Sequence, residues 1–199
     1  MKIRLALAAF TLLIPVAASA QDGRVQLDIL DKLAARASEK QEVTIDSSMI
    51  NSLGQSFFGQ GARADAAKQV LAKLRGIYVR SYEFDDPKAY SMDDINTMRK
   101  QLTTPGWTKI VSNEEKGKNG NWELQEVYFF QTGGKTNGIF IINAQPGELQ
   151  VVNIVGPIDF GDLGALGGVL GIPRVQDLGL APPPPAAPAA PAAPAAPRK

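Results

Sequence analysis

The sequence predicts an α+β domain: N-terminal helices packed on an antiparallel sheet of four to five strands, followed by a disordered Pro/Ala-rich tail. Three observations carry this. Apolar residues recur at helical spacing through the first half of the chain. Apolar, β-branched segments then succeed one another in the second half. The dipeptides between them, Asn119-Gly120, Gly133-Gly134 and Pro146-Gly147, are hairpin signals. Helices that precede hairpin-linked strands, instead of alternating with them, make α+β and not a parallel sheet.

Taken in order, Leu27, Leu30, Leu33, Ala34 and Ala37 share one helical face, so 27–37 reads as a short amphipathic helix. "EVTID" (42–46) is a brief strand candidate. Met49, Ile50, Leu53 and Phe57 form the next apolar stripe, with Asp46 or Ser47 placed to cap it. "GQG" at 59–61 breaks the chain. Ala64, Ala67, Val70, Leu71 and Leu74 mark another helix, and Gly76 follows as its stop. "GIYVRSYEF" (76–84) is β-branched and aromatic, hence a strand. Met92, Ile95, Met98 and Leu102 mark a helix that closes at Pro105-Gly106. Strands are expected at about 107–113, 122–131, 136–144 and 148–155. "GIFIINA" and "LQVVNIV" are apolar on both parities, which points to burial on both faces.

The two ends read differently. Residues 1–20 begin with Lys2 and Arg4, continue through an apolar run, and finish in Ala18-Ser19-Ala20. This is the three-part pattern of a cleavable secretory signal, with cleavage between Ala20 and Gln21. The run is shorter than the ~20 residues of a membrane span. With no cysteine in the chain, a lipid-anchored lipoprotein is excluded. Residues 21–178 are then a single α+β domain. Residues 179–199 are a tail that holds eight of the 14 prolines, five of them three apart from Pro185 to Pro197, before Arg198 and Lys199. Such a tract favours polyproline II, rising ~3.1 Å per residue. It is expected to act as a stiff solvated spacer, although "PAAPRK" also has the shape of a proline-groove ligand with a basic end.

Composition narrows the chemistry. Without Lys2 and Arg4 the chain carries 19 basic against 20 acidic side chains, a poor match to nucleic acid, which calls for a basic face. It has neither cysteine nor histidine. Thiolate ligands, imidazole bases and Ser-His or Cys-His nucleophile pairs are therefore all absent. Catalysis would have to rest on carboxylates, Lys or Tyr.

Three constellations merit weighing. Glu83, Asp85, Asp86, Asp93 and Asp94 crowd five carboxylates into twelve residues, but they lack the alternation and glycine of a calcium loop. Ser91 with Asp94 three residues later reads instead as a capping box. Tyr78, Arg80 and Tyr82 share one face of their strand and form a candidate contact row for sugar, aromatic or protein. The alternative is a half-buried face on which Arg80 pairs with a helix carboxylate. Trp107 and Trp122 read as core-edge anchors.

The third constellation is "VVNIVGPIDFGDLGALGGVLGIP" (151–173), with glycines at 156, 161, 164, 167, 168 and 171. No G-x-G-x-x-G occurs, and although Gly156 and Gly161 have Walker spacing, Asp162 and Leu163 stand where Lys and Ser/Thr are needed. A carboxylate there repels phosphate. The segment reads as a helix from about Phe160 to Leu170 capped by Asp159. On it, Gly164/Gly168 and Gly167/Gly171 form a bare packing stripe.

"LRGIYVRSYEFDD" (74–86), "RKQLTTPGW" (99–107) and "LQVVNIVGPIDFGDLGALGG" (149–168) resemble bacterial secreted proteins that share domain of unknown function 4252. The resemblance spans roughly residues 25–172. It implies a small exported α+β domain, and some members look as if they accompany envelope-stress sigma-factor systems. No catalytic residue carries over. The expected role is a non-catalytic binding or regulatory module, periplasmic or extracellular, contacting an envelope protein or cell-wall component. It would have no cofactor, metal or nucleic acid, and no transmembrane segment in the mature chain. The alternatives are a carrier of a lipid or apolar ligand beneath the Leu/Gly helix, and a carboxylate-based hydrolase.

Overall fold

The computed structural model describes residues 22–53, 60–116 and 122–180. The signal segment with Ala18, Ala20 and Gln21, the stripe residue Phe57, the turn Asn119-Gly120 and the tail from Ala181 lie outside them. In chain order, a 3-10 turn at Asp28–Leu30 leads into α1 (Asp31–Ala34), β1 (Glu39–Asp46), α2 (Ser47–Leu53) and α3 (Ala62–Leu71). Then come β2 (Gly76–Glu83), α4 (Met92–Gln101), β3 (Trp107–Lys116), β4 (Trp122–Thr132), β5 (Lys135–Gln145) and β6 (Glu148–Val155). The chain finishes with α5 (Phe160–Leu166) and a 3-10 turn at Val175–Leu178.

The fold is α+β, but the sheet has six strands, not four or five, in the order β1-β2-β6-β5-β4-β3, with every pair antiparallel. The additional length is at the edge. The brief candidate at 42–46 is an eight-residue strand, whose N-terminal half is too polar to show an apolar alternation. Conversely, the helix expected over 27–37 shrinks to one turn plus a 3-10 turn.

Helices cover both faces. On the first face Ile77, Val79, Val127, Ile139, Ile141, Val152 and Ile154 pack with side chains from α2, α3, α5 and the final turn, including Ile50, Val70, Leu163, Leu166 and Leu178. On the second, Tyr82, Tyr128, Phe140, Ile142, Leu149 and Val151 pack with Leu30 and Leu33 and with Ile95 and Met98 of α4. The central strands β5 and β6 are therefore dry on both sides, as their two-parity apolar pattern required. Leu180 is buried, so packed chain runs two residues past the expected boundary at 178.

Several caps behave as their sequences indicated. Asp46 Oδ1 accepts from the backbone N–H groups of Ser48 and Met49, both at 2.9 Å. Ser91 N donates to Asp94 Oδ2 at 2.9 Å. Asp159 Oδ1 accepts from Asp162 N at 2.8 Å, and Asp159 N donates back to Asp162 Oδ2 at 3.2 Å. No helix among the described residues is long and apolar enough to cross a membrane.

Candidate functional site

The register lines residues up in rows across the whole sheet, and on the first face these rows change character step by step. Ile45, Ile77, Ile154, Ile139 and Phe129 form one row. Next come Val43, Val79, Val152, Ile141, Val127 and Val111. The third row is Gln41, Ser81, Gln150, Asn143, Gln125 and Asn113, a band of carboxamides with one hydroxyl that spans all six strands. Beyond it stand Glu39, Glu83, Glu148 and Gln145, with Glu123 opposite Glu115 completing the line. Apolar face, amide row and glutamate row thus succeed one another toward one end of the sheet.

The amide row marks where the helical cover stops. Gln125 Nε2 donates to Asp177 O at 2.6 Å, and Gln150 Nε2 donates to Gly171 O at 3.2 Å. The segment after α5 is hung from the sheet by its own carbonyls. Within the row, Gln150 Nε2 also donates to Ser81 Oγ, Asn143 Nδ2 to Gln150 Oε1, and Asn113 Nδ2 to Gln125 Oε1, each at 3.2 Å. Asn143 Oδ1 is buried and accepts no hydrogen bond among the described residues.

Past the row lies an open hollow of about 340 Å³, lined among others by Asn113, Glu115, Glu123, Gln125, Asn143 and Glu148. The five glutamates Glu39, Glu83, Glu115, Glu123 and Glu148 are all exposed. None of them forms an ion pair among the described residues. The neighbouring Lys116 turns to Glu114, 3.7 Å away, which belongs to the opposite parity of the strand. A line of like charges with no counter-ion among the described residues favours a negative potential along this end of the sheet, and Glu115, Glu123 and Glu148 bring it to the hollow.

Tyr78, Arg80 and Tyr82 lie on the second face and do not form an open contact row. Tyr78 and Tyr82 are buried beneath the N-terminal segment. The Arg24 guanidinium sits 4.7 Å from the Tyr78 ring centroid. The Tyr82 hydroxyl donates to Glu42 Oε1 at 3.1 Å; burial first, and then the Glu42 charge, push this phenol above its ordinary range. Among the described residues Arg80 forms no ion pair with a helix carboxylate. Its Nη1 donates to Val43 O, Val79 O and Thr44 Oγ1 at 2.9–3.2 Å. The tryptophans are edge anchors: Trp107 packs against Phe130 and Phe140, and Trp122 against Tyr90.

The glycine stripe is also redrawn. α5 ends at Leu166 with Gly167 as its C-cap, so Gly167, Gly168 and Gly171 lie in the following loop and not on a helix. Gly168 and Gly171 adopt φ of 78° and 79°, the left-handed region that a Cβ disfavours. A Cβ on Gly167 would stand 3.0 Å from Arg174 Cα, whereas one on Gly164 would meet only Val175 Cγ2, at 4.0 Å. The helix stops early because two consecutive glycines raise the cost of continuing it by about 1 kcal/mol each.

Two buried polar centres escaped the sequence reading. Asn153 is fully buried, accepts from Val25 N at 2.9 Å, and donates to Gly23 O at 3.0 Å and Ile139 O at 3.2 Å, pinning the N-terminal segment to β6. Glu126, 1% exposed, accepts from Arg99 Nε at 2.8 Å, Arg99 Nη2 at 3.0 Å, the Tyr128 hydroxyl at 2.8 Å, and Lys109 Nζ. Burial raises this carboxyl, but the donors outweigh it and hold it below the usual carboxylate range. It is thus an anion clamping α4 to the sheet, not a proton donor. The acidic cluster at 83–94 does not converge: Glu83 belongs to the glutamate row, and Asp94 caps α4 and pairs with Lys32.

A family model for the domain of unknown function DUF4252 matches residues 36–166. Among curated proteins no match is found. The matched span runs from the approach to β1 to the last residue of α5, taking in all six strands and both rows of the hollow, and the chain belongs to the DUF4252 family.

Proposed function

We propose that this protein is an exported, non-catalytic binding or regulatory module of the bacterial cell envelope. It contacts a protein or cell-wall partner through the hollow bounded by the amide and glutamate rows. The observation that carries the reading is the line of five exposed glutamates, without an ion pair among the described residues, beside a band of side-chain amides. Amides donate and accept without being charged, so they read main-chain or hydroxylated surfaces, while the carboxylates select a cationic neighbour.

The export part rests on the signal pattern ending at Ala18-Ser19-Ala20. The non-catalytic part rests on the chain's lack of histidine and cysteine, together with the exposure of the glutamates. Glu115 and Glu123 stand side by side on neighbouring strands instead of facing each other across a cleft, and neither is buried as a general acid requires.

The test is a comparative pull-down from envelope extract, using the wild-type protein and the double variant Glu115→Lys/Glu123→Lys, read by mass spectrometry. A partner captured by the wild type and lost with the reversed charges supports the reading. The same partners in both samples would overturn it.

A further inference from the structure

We propose that the hollow also receives the basic end of the tail of a second copy of this chain, so that molecules associate head to tail. This rests on the hollow being a contact surface. Three observations lead to it.

The first is charge. The glutamate row has no counter-ion among the described residues, and Arg198-Lys199 is a paired positive charge at the far end of an otherwise uncharged tract.

The second is period. Strands stand ~4.8 Å apart, so two strand spacings are ~9.6 Å. One three-residue turn of polyproline II rises ~9.3 Å. The Pro-Ala-Ala repeat therefore keeps step with every second strand as it crosses the row. Its carbonyls, which make no hydrogen bonds within a polyproline helix, are open to the side-chain amides.

The third is length, and it decides the source. The tail leaves the domain beside the hollow. Leu180 is buried on the first face, and a Cβ on Gly179 would lie 3.5 Å from Asn113 Nδ2. The row is about 24 Å across, whereas the tract from Ala181 to Pro197 reaches on the order of 50 Å as polyproline II. Extended in that form, a tail rooted at one end of the row would carry its basic pair well past the other end. It therefore presents that pair to a neighbouring molecule instead of returning it to its own hollow. A contact of this kind is heterologous, and it closes into a ring or grows open according to the rotation between successive copies.

The experiment uses the full chain purified after export and sedimentation velocity at low salt. Four proteins are compared: wild type, the tail variant Arg198→Glu/Lys199→Glu, the hollow variant Glu115→Lys/Glu123→Lys, and the combination of all four changes. The wild type is expected to associate with rising concentration and to become monomeric at high salt. The tail and hollow variants are each expected to be monomeric alone and to associate with each other when mixed, alternating along the assembly. In that mixture the tail of each variant meets a hollow of opposite sign on the other. The combined variant, whose tail and hollow are both reversed, is expected to associate like the wild type.

A wild type that stays monomeric at every concentration would overturn the proposal. Association untouched by either reversal would do the same. So would a monomeric wild type whose Asn113 and Gln125 side-chain amide NMR signals move in the tail variant, since that places a chain's tail in its own hollow. None of these outcomes bears on the envelope pull-down, which judges the contact surface separately.

Discussion

Replacing Glu126 by glutamine should remove the anchor between α4 and the sheet while keeping the shape of the side chain. Glu126 is 1% exposed and receives four donors, two of them from Arg99. Removing one member of a buried ion pair typically costs about 3–5 kcal/mol. Here the cations are partly wet, with side-chain exposures of 22% for Arg99 and 38% for Lys109, so water recovers part of their solvation. That brings the expected loss to about 2–3 kcal/mol. For a domain of this size, such a loss lowers the thermal midpoint by roughly 5–10 °C.

The pH dependence fixes the cause. The folded-state pKa of Glu126 lies below its unfolded value, so its contribution is fully present above the unfolded pKa, about 4.3, and drains away as pH falls through the folded value. The assay is urea unfolding of the wild type and Glu126→Gln at a series of pH values. Other carboxylates titrate alike in both proteins and cancel in the difference. The stability gap should be constant from neutral pH down to about pH 5 and then shrink. A gap that persists undiminished to pH 2, or one under about 0.5 kcal/mol at neutral pH, would refute the clamp.

Further outcomes follow from other positions. Asn153→Ala orphans Val25 N and Gly23 O in the interior and should cost about 2–4 kcal/mol in denaturant melts, with faster amide exchange at Val25. Gly164→Ala should stabilise by up to about 1 kcal/mol, because a Cβ there meets only Val175 Cγ2 at 4.0 Å within α5. Gly168→Ala should destabilise because its φ is 78°, and melts of the two variants that moved the same way would reject this division. Intact mass of exported protein should correspond to a chain beginning at Gln21, and retention of Met1 would sink the signal assignment. Truncation after Leu180 should leave the unfolding midpoint of dilute protein unchanged, and a drop of several degrees would mean that residues beyond it pack on the domain.

Much of the fold was legible because its signals are local. Hairpin dipeptides at Gly133-Gly134 and Pro146-Gly147, the caps at Asp46, Ser91 and Asp159, and the two-parity apolar runs of β5 and β6 each depend on a few neighbouring residues. β1 was undervalued because an edge strand pairs through its backbone while its side chains stay polar, so periodicity has nothing to register. The burial of Tyr78 and Tyr82 was hidden for a different reason. Whether a face is open depends on what lies over it, and here that is a segment some fifty residues earlier, held by Asn153. The glycine stripe misled because four-residue spacing fits a helix on paper, whereas positive φ at Gly168 and Gly171 is a property of the loop they form.

The hollow lay between these extremes. The tight turn at Pro146-Gly147 sets Gln145 opposite Glu148 and Asn143 opposite Gln150, so part of both rows could be counted out from that hairpin alone. Extending them to Gln41, Ser81, Glu39 and Glu83 needs β2 to lie beside β6, a pairing between segments some seventy residues apart that no local signal announces. The placement of the rows has a physical reason. A six-stranded sheet buried on both faces would be apolar to its ends if its helices covered it fully, but the early stop of α5 leaves the amide row at the edge of the cover and the glutamate row beyond it. The nearer one must satisfy both the cover's carbonyls and water, which amides do with either lone pairs or protons. The outer row faces solvent and can carry charge at little cost. Mixed or alternating charge would serve solubility as well as five glutamates do, and would avoid their mutual repulsion. The uniform sign is therefore the part of this surface that packing does not explain, and it is the reason to look for the partner there.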